Sequence, residues 1–380
     1  MLIRCAQLYP LAVPMGKPIK MAGETLTHAH TLLLRLIDEN GREGWGEASA
    51  APLMTGETLG SITASTEYLV AQLMGQTINT PAEISAAQER VLYGNASAKS
   101  CHETALLDLL AQAQGLPLYR LLNPDASAAT AAPLEMLHML ASGDLQAELE
   151  EARSLRAEGY RQWKIKVGSG DTANDVRRVR ALCAELQGDV VSADANQALS
   201  VEAASAIASA GAASGMTFLE QPFRVGMMAA MTALHRASGL PLCADESIQD
   251  SSDIAAHADA QAAQGVSLKL IKLGGPSAVL QAGRLCLARA MRVNLACKVA
   301  ETTISAAATA HAGLALGDVA WGFSMSNRYL AHDVCAQPLS PVRGAVSAAQ
   351  LAGNGLGFVP EMERLREFAS ATYPMREFRA

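Results

Sequence analysis

The sequence predicts an α/β fold, an eight-stranded (β/α) barrel preceded by a smaller α+β unit, on three observations. Short apolar runs recur along the second two-thirds of the chain at a nearly constant interval. Alanine-rich helical patterns fill the gaps between them. Acidic and basic residues gather where those runs end.

The runs centre near Leu137, Ile165, Ser192, Phe218, Cys243, Leu268, Leu295 and Trp321, spaced 25 to 28 residues apart. One strand, one helix and two loops need about that length. Helical patterns lie between them, for example over 172–186, 201–214 and 276–291. Eight strands with a helix after most of them is the count of a TIM-type barrel. A doubly wound open sheet is the alternative, but it seldom repeats so evenly. No glycine-rich phosphate loop follows the first strand of either region.

The first region has a different rhythm. Residues 32–37 and 43–47 read as a hairpin, with Asn40-Gly41 supplying the positive backbone angles of a tight turn. Helical patterns follow over 60–75, 83–93 and 98–114. The last places Ala105, Leu106, Leu109 and Leu110 on one face, and Gly115 caps it. Strands first and helices after make an α+β unit. The expected division is 1–125 for this unit and 126–355 for the barrel, with 356–380 packing back on the first unit.

Bulk properties exclude several functions. Half of the 380 residues are hydrophobic and 18% are charged, which suits a large core and not a disordered chain. A net charge of −7 gives no electrostatic reason to bind nucleic acid. An anionic substrate would need local cations or a metal. The seven cysteines are irregularly spaced without a C-x-x-C pair, which points to a reduced, cytoplasmic chain and not to disulfides or zinc. No apolar stretch is long enough to span a membrane.

Barrel enzymes carry their chemistry at the C-terminal ends of the strands. Here those ends read Lys164-Ile-Lys166, Asp194-Ala-Asn196-Gln197, Glu220-Gln-Pro222, Asp245-Glu-Ser247, Lys269-Leu-Ile-Lys272 and Lys298-Val-Ala-Glu301. Asp194, Glu220 and Asp245 end three successive strands, and neighbouring strands lie within about 5 Å. Such carboxylates repel unless a cation sits among them. An all-oxygen trio suits a hard divalent ion, Mg²⁺ first and Mn²⁺ as an alternative. Separate pairing of each acid with a nearby base is the other reading.

Strands two and six stand across an eight-stranded ring, so Lys166 and Lys269 would flank the metal wall from opposite sides. A carboxylate held between them would present its α-carbon to one amine on each face. Lys164 shares the strand face of Lys166, and its charge would lower the pKa of Lys166 toward that of a working base.

This ordered set of motifs resembles the enolase superfamily, in its muconate-lactonizing subgroup. The resemblance extends to Gly44-Trp-Gly-Glu47 and Ala105-Leu-Leu-Asp108-Leu in the first region. It implies a modified barrel with seven helices, closed over its mouth by the α+β unit as a capping domain. It implies metal ligands at Asp194, Glu220 and Asp245, and acid/base lysines at Lys166 and Lys269. Glu301 matches a strand-seven glutamate that would meet the substrate carboxylate or hold the ligand shell, with a plain structural acid as the alternative.

The expected chemistry is removal or delivery of the proton next to a carboxylate through an enediolate, followed by cycloisomerisation, racemisation or dehydration. A muconate-cycloisomerase-like isomerase leads, with a racemase of N-acyl amino acids or an acid-sugar dehydratase behind it. A barrel that binds without catalysis would lack part of the central set, which is complete here. Dipeptide epimerases of the subgroup carry Asp-x-Asp after strand eight, where this chain has Ser324-Met-Ser326. Those serines are candidate substrate contacts. Lys17, Lys20, His28 and His30 in the lid could meet a second carboxylate, or be solvated lid charges. The expected partner is a small carboxylate, with no nucleic acid or membrane, and the expected assembly is a homo-oligomer.

Overall fold

The computed structural model describes residues 1–21, 24–126 and 131–380. The chain opens with antiparallel strands β1 (Ile3–Met21), β2 (Glu24–Asp38) and β3 (Glu43–Ser49). Helices α1 (Leu59–Leu73), α2 (Pro81–Val91), α3 (Ala96–Gln114) and α4 (Leu118–Leu122) follow. The β2–β3 hairpin sets Thr31 opposite Ser49 and Ile37 opposite Glu43. Its turn departs from expectation, because Gly41 has positive φ (77°) and Asn40 does not. The Asp38 carboxylate explains this: it accepts N–H bonds from Asn40 and Arg42, both at 2.9 Å, and closes a longer loop.

Strand β3 lies directly on α3. A Cβ on Gly46 would sit 1.9 Å from the Cys101 carbonyl oxygen, and one on Gly44 would sit 2.2 Å from that of Ala105. Only glycine permits so close a backbone approach. Trp45 projects to the other face and is buried, while its backbone N–H donates to Asp108 Oδ2 at 2.9 Å. Asp108 Oδ1 accepts from the Leu356 N–H at 2.8 Å, tying α3 to the chain beyond the barrel. The two motifs of the first region are thus two sides of one contact.

The short strand β4 (Leu134–Glu135) precedes the barrel. Its parallel strands are β5 (Leu137–Leu140), β6 (Gln162–Lys166), β7 (Val190–Asp194), β8 (Phe218–Glu220), β9 (Leu242–Ala244), β10 (Gly265–Leu268), β11 (Arg292–Ala296) and β12 (Phe323–Ser324). They hydrogen-bond in sequence order, and a bridge between Met136 and Phe323 brings the two edges together. Helices α5 (Leu145–Ala157), α6 (Thr172–Glu185), α7 (Val201–Ala213), α8 (Met228–Ser238) and α9 (Ser251–Asp259) follow the first five strands in turn. One turn, α10 (Leu270–Leu273), and α11 (Pro276–Ala288) follow β10, and α12 (Thr303–Leu316) follows β11.

After β12 comes only a 3-10 turn, Asn327–Tyr329, where an eighth helix would stand. The fold is therefore a modified TIM-type barrel with an α+β cap. The chain then returns to the cap through β13 (Ala345–Val346), α13 (Met362–Glu367) and β14 (Arg376–Arg379). Strand β14 pairs antiparallel with β1, with Cys5 opposite Arg379 and Leu8 opposite Arg376. No helix among the described residues is long and apolar enough to cross a membrane.

Candidate active site

Parallel strands bring all their C-terminal ends to one side, and a cavity of about 460 Å³ opens there beneath the cap. Lys164, Lys166, Asp194, Glu220, Asp245 and Lys269 all line it, together with Leu26, His28, His30 and residues 50–54 of the cap. The period of two along β6 accounts for Lys164 and Lys166 sharing this face. Trp163, between Gln162 and Lys164, is wholly buried, with its ring nitrogen donating to Asp189 Oδ2 at 3.0 Å.

Loop residues fix the strand ends. Gln221, at φ 35°, donates from its amide to Ser247 Oγ (2.8 Å) and to the Phe223 carbonyl (2.9 Å). Its amide oxygen accepts from the Asp245 N–H at 2.9 Å. The glutamine of Glu-Gln-Pro is therefore the stitch between strands four and five. Asn196, also left-handed at φ 39°, bonds Lys166 through Oδ1 and Glu246 Oε1 through Nδ2 (3.1 Å).

Each carboxylate holds a lysine. Lys166 Nζ is 2.6 Å from Asp194 Oδ2, and Lys164 Nζ is 2.5 Å from Glu220 Oε2. Asp245 takes two, Lys269 on Oδ2 and Lys272 on Oδ1 at 2.7 Å. Lys272 also donates to the Ser267 carbonyl at 3.0 Å, which marks it as a fixed counter-ion. Burial raises the pKa of Asp245, but Lys269 and Lys272 outweigh it and hold the carboxyl well below its usual range. Burial likewise opposes Lys166 and Lys164 at Asp194, and the lysines again prevail. At Glu220 burial prevails over Lys164, and the neighbouring Asp194 and Asp245 add to the rise. Glu246 is pushed up to about 7 by burial and by the charges of Asp245 and Asp194.

These residues fit a hard divalent cation. The donors are all oxygen, come from adjacent strand ends, and are buried. Glu220 Oε2 is close to Lys164 yet outside hydrogen-bond geometry, and Glu246 Oε2 has no partner. Buried carboxylate oxygens facing a cavity in this state are ready acceptors for a metal. Among the described residues no three acidic, histidine or cysteine side chains are drawn into a closed cage, because each acid is turned onto its lysine.

One expectation needs correction, the placing of Glu301 at the substrate, while Lys164 takes a buried partner and Lys17 stands as a solvated lid charge. Lys164 faces Glu220 and not chiefly Lys166, and its own pKa is raised: burial opposes the charge, but Glu220 and Asp194 outweigh it. Glu301 does not line the cavity. It is buried behind the wall, with Oε2 accepting from the Lys298 N–H at 3.0 Å and Oε1 without a partner. Burial and the nearby Glu47 push its pKa up to about 8. Strand β11 ends at Ala296, and the turn after it, with Ala300 left-handed (φ 66°), no longer alternates, which is why counting along the strand misplaces Glu301. Lys17 is exposed and does not line the cavity, and the side chain of Lys20 lies outside the described residues.

Ser324 and Ser326 both line the cavity. Ser324 Oγ has no partner, whereas Ser326 Oγ donates to the Lys298 carbonyl at 2.6 Å. His28 and His30 reach the cavity, while His138 is held outside it between Glu151 and Arg328. Asp333 bonds the N–H and hydroxyl of Thr303 and forms no dyad with His332. Sequence reasoning missed Lys298, Tyr329, Thr372 and Tyr373, which also line the cavity. Only Lys298 had a signal, its place at the end of strand seven.

Residues 147–364 match the enolase C-terminal domain-like family, and residues 6–123 match the mandelate racemase / muconate lactonizing enzyme N-terminal domain. Muconate cycloisomerase 1 of Pseudomonas putida is 31% identical over 80% of this chain and 81% of its own. The muconate lactonizing enzyme of Pseudomonas fluorescens complexed with muconolactone superposes with a TM-score of 0.88 at 30% identity, over 97% of this chain and 99% of that one. A dipeptide epimerase from Cytophaga hutchinsonii complexed with Mg and D-Ala-L-Val gives 0.86 at 25% identity, over 99% and 100%. Cycloisomerase and epimerase are similar to this chain to a comparable degree. The chain belongs to the mandelate racemase/muconate lactonizing family and is an isomerase of the enolase superfamily.

Proposed function

We propose that the protein is a Mg²⁺-dependent isomerase that works through an enediolate at the carbon next to a substrate carboxylate, in the manner of a muconate cycloisomerase. The observation that carries this reading is the placing of Lys166 and Lys269 on one cavity, with the Asp194, Glu220 and Asp245 strands between them. An α-proton beside a carboxylate is too weakly acidic for an amine alone. Asp194, Glu220 and Asp245 would hold Mg²⁺, which when bound would supply positive charge beside the reacting carboxylate.

The chain's own groups do the rest. Lys166 and Lys269 hold or move the proton on opposite faces of the α-carbon. Asn196 fixes the Lys166 amine through its side-chain oxygen. Lys164 and Lys272 remain counter-ions of Glu220 and Asp245. Besides the lysines and carboxylates the cavity is lined by Leu137, Met139, Ser324, Lys298, His28 and His30, among others. Its four described carboxylates, Asp194, Glu220, Asp245 and Glu246, come from strand ends three to five. Away from those strand ends an ammonium on the substrate would find no described carboxylate in the cavity lining, which favours a carboxylate without a free amine.

A second reading is racemisation of an N-acyl amino acid. The unpartnered Ser324 Oγ favours it, because an acyl amide would give that hydroxyl a partner. A panel of cis,cis-muconate, N-succinyl amino acids, free dipeptides and sugar acids with Mg²⁺ tests the choice. Muconate should turn over. N-succinyl amino acids turning over without muconate would move the assignment to the racemase, and free dipeptides turning over best would contradict the account of the cavity lining.

A further inference from the structure

The C-terminal segment carries the chain back to the mouth of the cavity. Its β14 strand is paired with β1, the Ser370 N–H donates to the Pro10 carbonyl at 2.9 Å, and Arg376 meets Glu67 of α1 at 3.3 Å. Between these anchors Ser370, Thr372 and Tyr373 line the cavity. A tight local turn sets their geometry: Ser370 Oγ accepts from the N–H groups of Thr372 (3.3 Å) and Tyr373 (3.2 Å).

Tyr373 has a built seat. Its ring lies against Gly60, in the first turn of α1, where a Cβ would meet the phenol oxygen at 2.7 Å and ring carbons at 3.0 Å. The glycine leaves the space that the ring occupies. Tyr373 is 37% exposed, whereas Lys269 and Lys164 are each 5% exposed, so the tyrosine stands at the outer rim and the lysines on the floor. The loop leading into α1 brings Leu53 to the same cavity with 62% exposure. Leu53 and Tyr373 thus both present exposed apolar surface to one cavity.

We propose that Tyr373 is a specificity-determining residue: with Leu53 it forms an apolar collar at the mouth that limits the bulk of the substrate's far end. The inference rests on this cavity being the reaction site. It adds the C-terminal segment to the elements that select the substrate, so that the end of the chain, and not only the lid loops, shapes what enters.

Two measurements on the full-length protein test it, using Tyr373→Ala and the ring-preserving Tyr373→Phe. The first needs no substrate. Reductive modification of Lys166 by formaldehyde is compared with modification by pyridoxal phosphate, site by site, by peptide mass spectrometry. Tyr373→Ala should raise the pyridoxal phosphate rate relative to formaldehyde by about tenfold, and Tyr373→Phe should retain most of the wild-type ratio. An unchanged ratio in Tyr373→Ala overturns the collar.

The second measures α-proton exchange in deuterated water for N-acetylalanine and N-succinylphenylalanine. Tyr373→Ala should shift the kcat/KM ratio toward the bulky compound by about tenfold. Exchange with an unmoved ratio again overturns the collar. Absence of exchange in every compound of the panel counts against the proposed reaction instead, and the labelling ratio then decides on the collar alone.

Discussion

Lys164 Nζ lies 2.5 Å from Glu220 Oε2, with 6% and 1% of the two side chains exposed. Strand β7 stands between their strands, so the pair spans the floor of the barrel mouth. Its lysine opposes, without cancelling, the rise that burial and the neighbouring Asp194 and Asp245 impose on the Glu220 carboxyl.

Lys164→Met should therefore strand Glu220 without a counter-charge. Breaking one partner of a buried pair costs about 3–5 kcal/mol, and protonation of Glu220 should keep the loss near the low end. Mg²⁺ should restore part of it, because a cation supplies the missing charge. Denaturant unfolding of both proteins with and without Mg²⁺ measures this. Equal losses in the two conditions would contradict a metal at Glu220.

Gly46→Ala should loosen the cap. The added methyl would collide with the Cys101 carbonyl, a backbone atom of a buried helix that cannot swing aside. Overpacking of this kind costs about 1–3 kcal/mol. Chemical denaturation should show a lower midpoint, and Gly41→Ala, beside open space but at φ 77°, should lose less.

The pH dependence of stability has a specific source in Glu301. Burial first, and the Glu47 carboxylate second, hold its pKa up to about 8 against an ordinary 4.5. The folded state thus keeps a proton that the unfolded chain releases. The stability so contributed is complete below pH 4.5 and is lost as pH rises to about 8. Melting temperatures of wild type and Glu301→Gln across pH 5 to 9 should diverge in slope, the wild type falling more steeply up to about 8. Parallel curves would show that Glu301 ionises normally.

Much of this architecture was legible in the chain, because each barrel unit repeats a strand period and a helix period at nearly fixed length. Lys166, Asp194, Glu220, Asp245 and Lys269 could be brought to one cavity by strand order alone. Glu301 and Lys298 could not be told apart that way: β11 ends at Ala296, and the turn after it, with Ala300 left-handed, no longer alternates. Tyr373 was out of reach for a different reason. It arrives at the cavity through the pairing of β14 with β1, a contact between the two ends of the sequence that no local pattern announces. The pairing of Glu47 with Thr302 and Ser305 is equally long-range, a cap carboxylate seated on the first N–H groups of α12.

The central claim is that Lys166 and Lys269 address opposite faces of one α-carbon, with the metal held between them. Proton–deuterium exchange at that carbon, followed by NMR for the panel compound that wild type handles best, tests it most directly. Wild type should exchange with Mg²⁺ and stop in excess chelator. Lys166→Ala and Lys269→Ala should each lose exchange at one face, and Asp245→Asn should behave as the chelated enzyme does. Undiminished exchange on both faces in both lysine variants, or full exchange in chelator, would contradict the account.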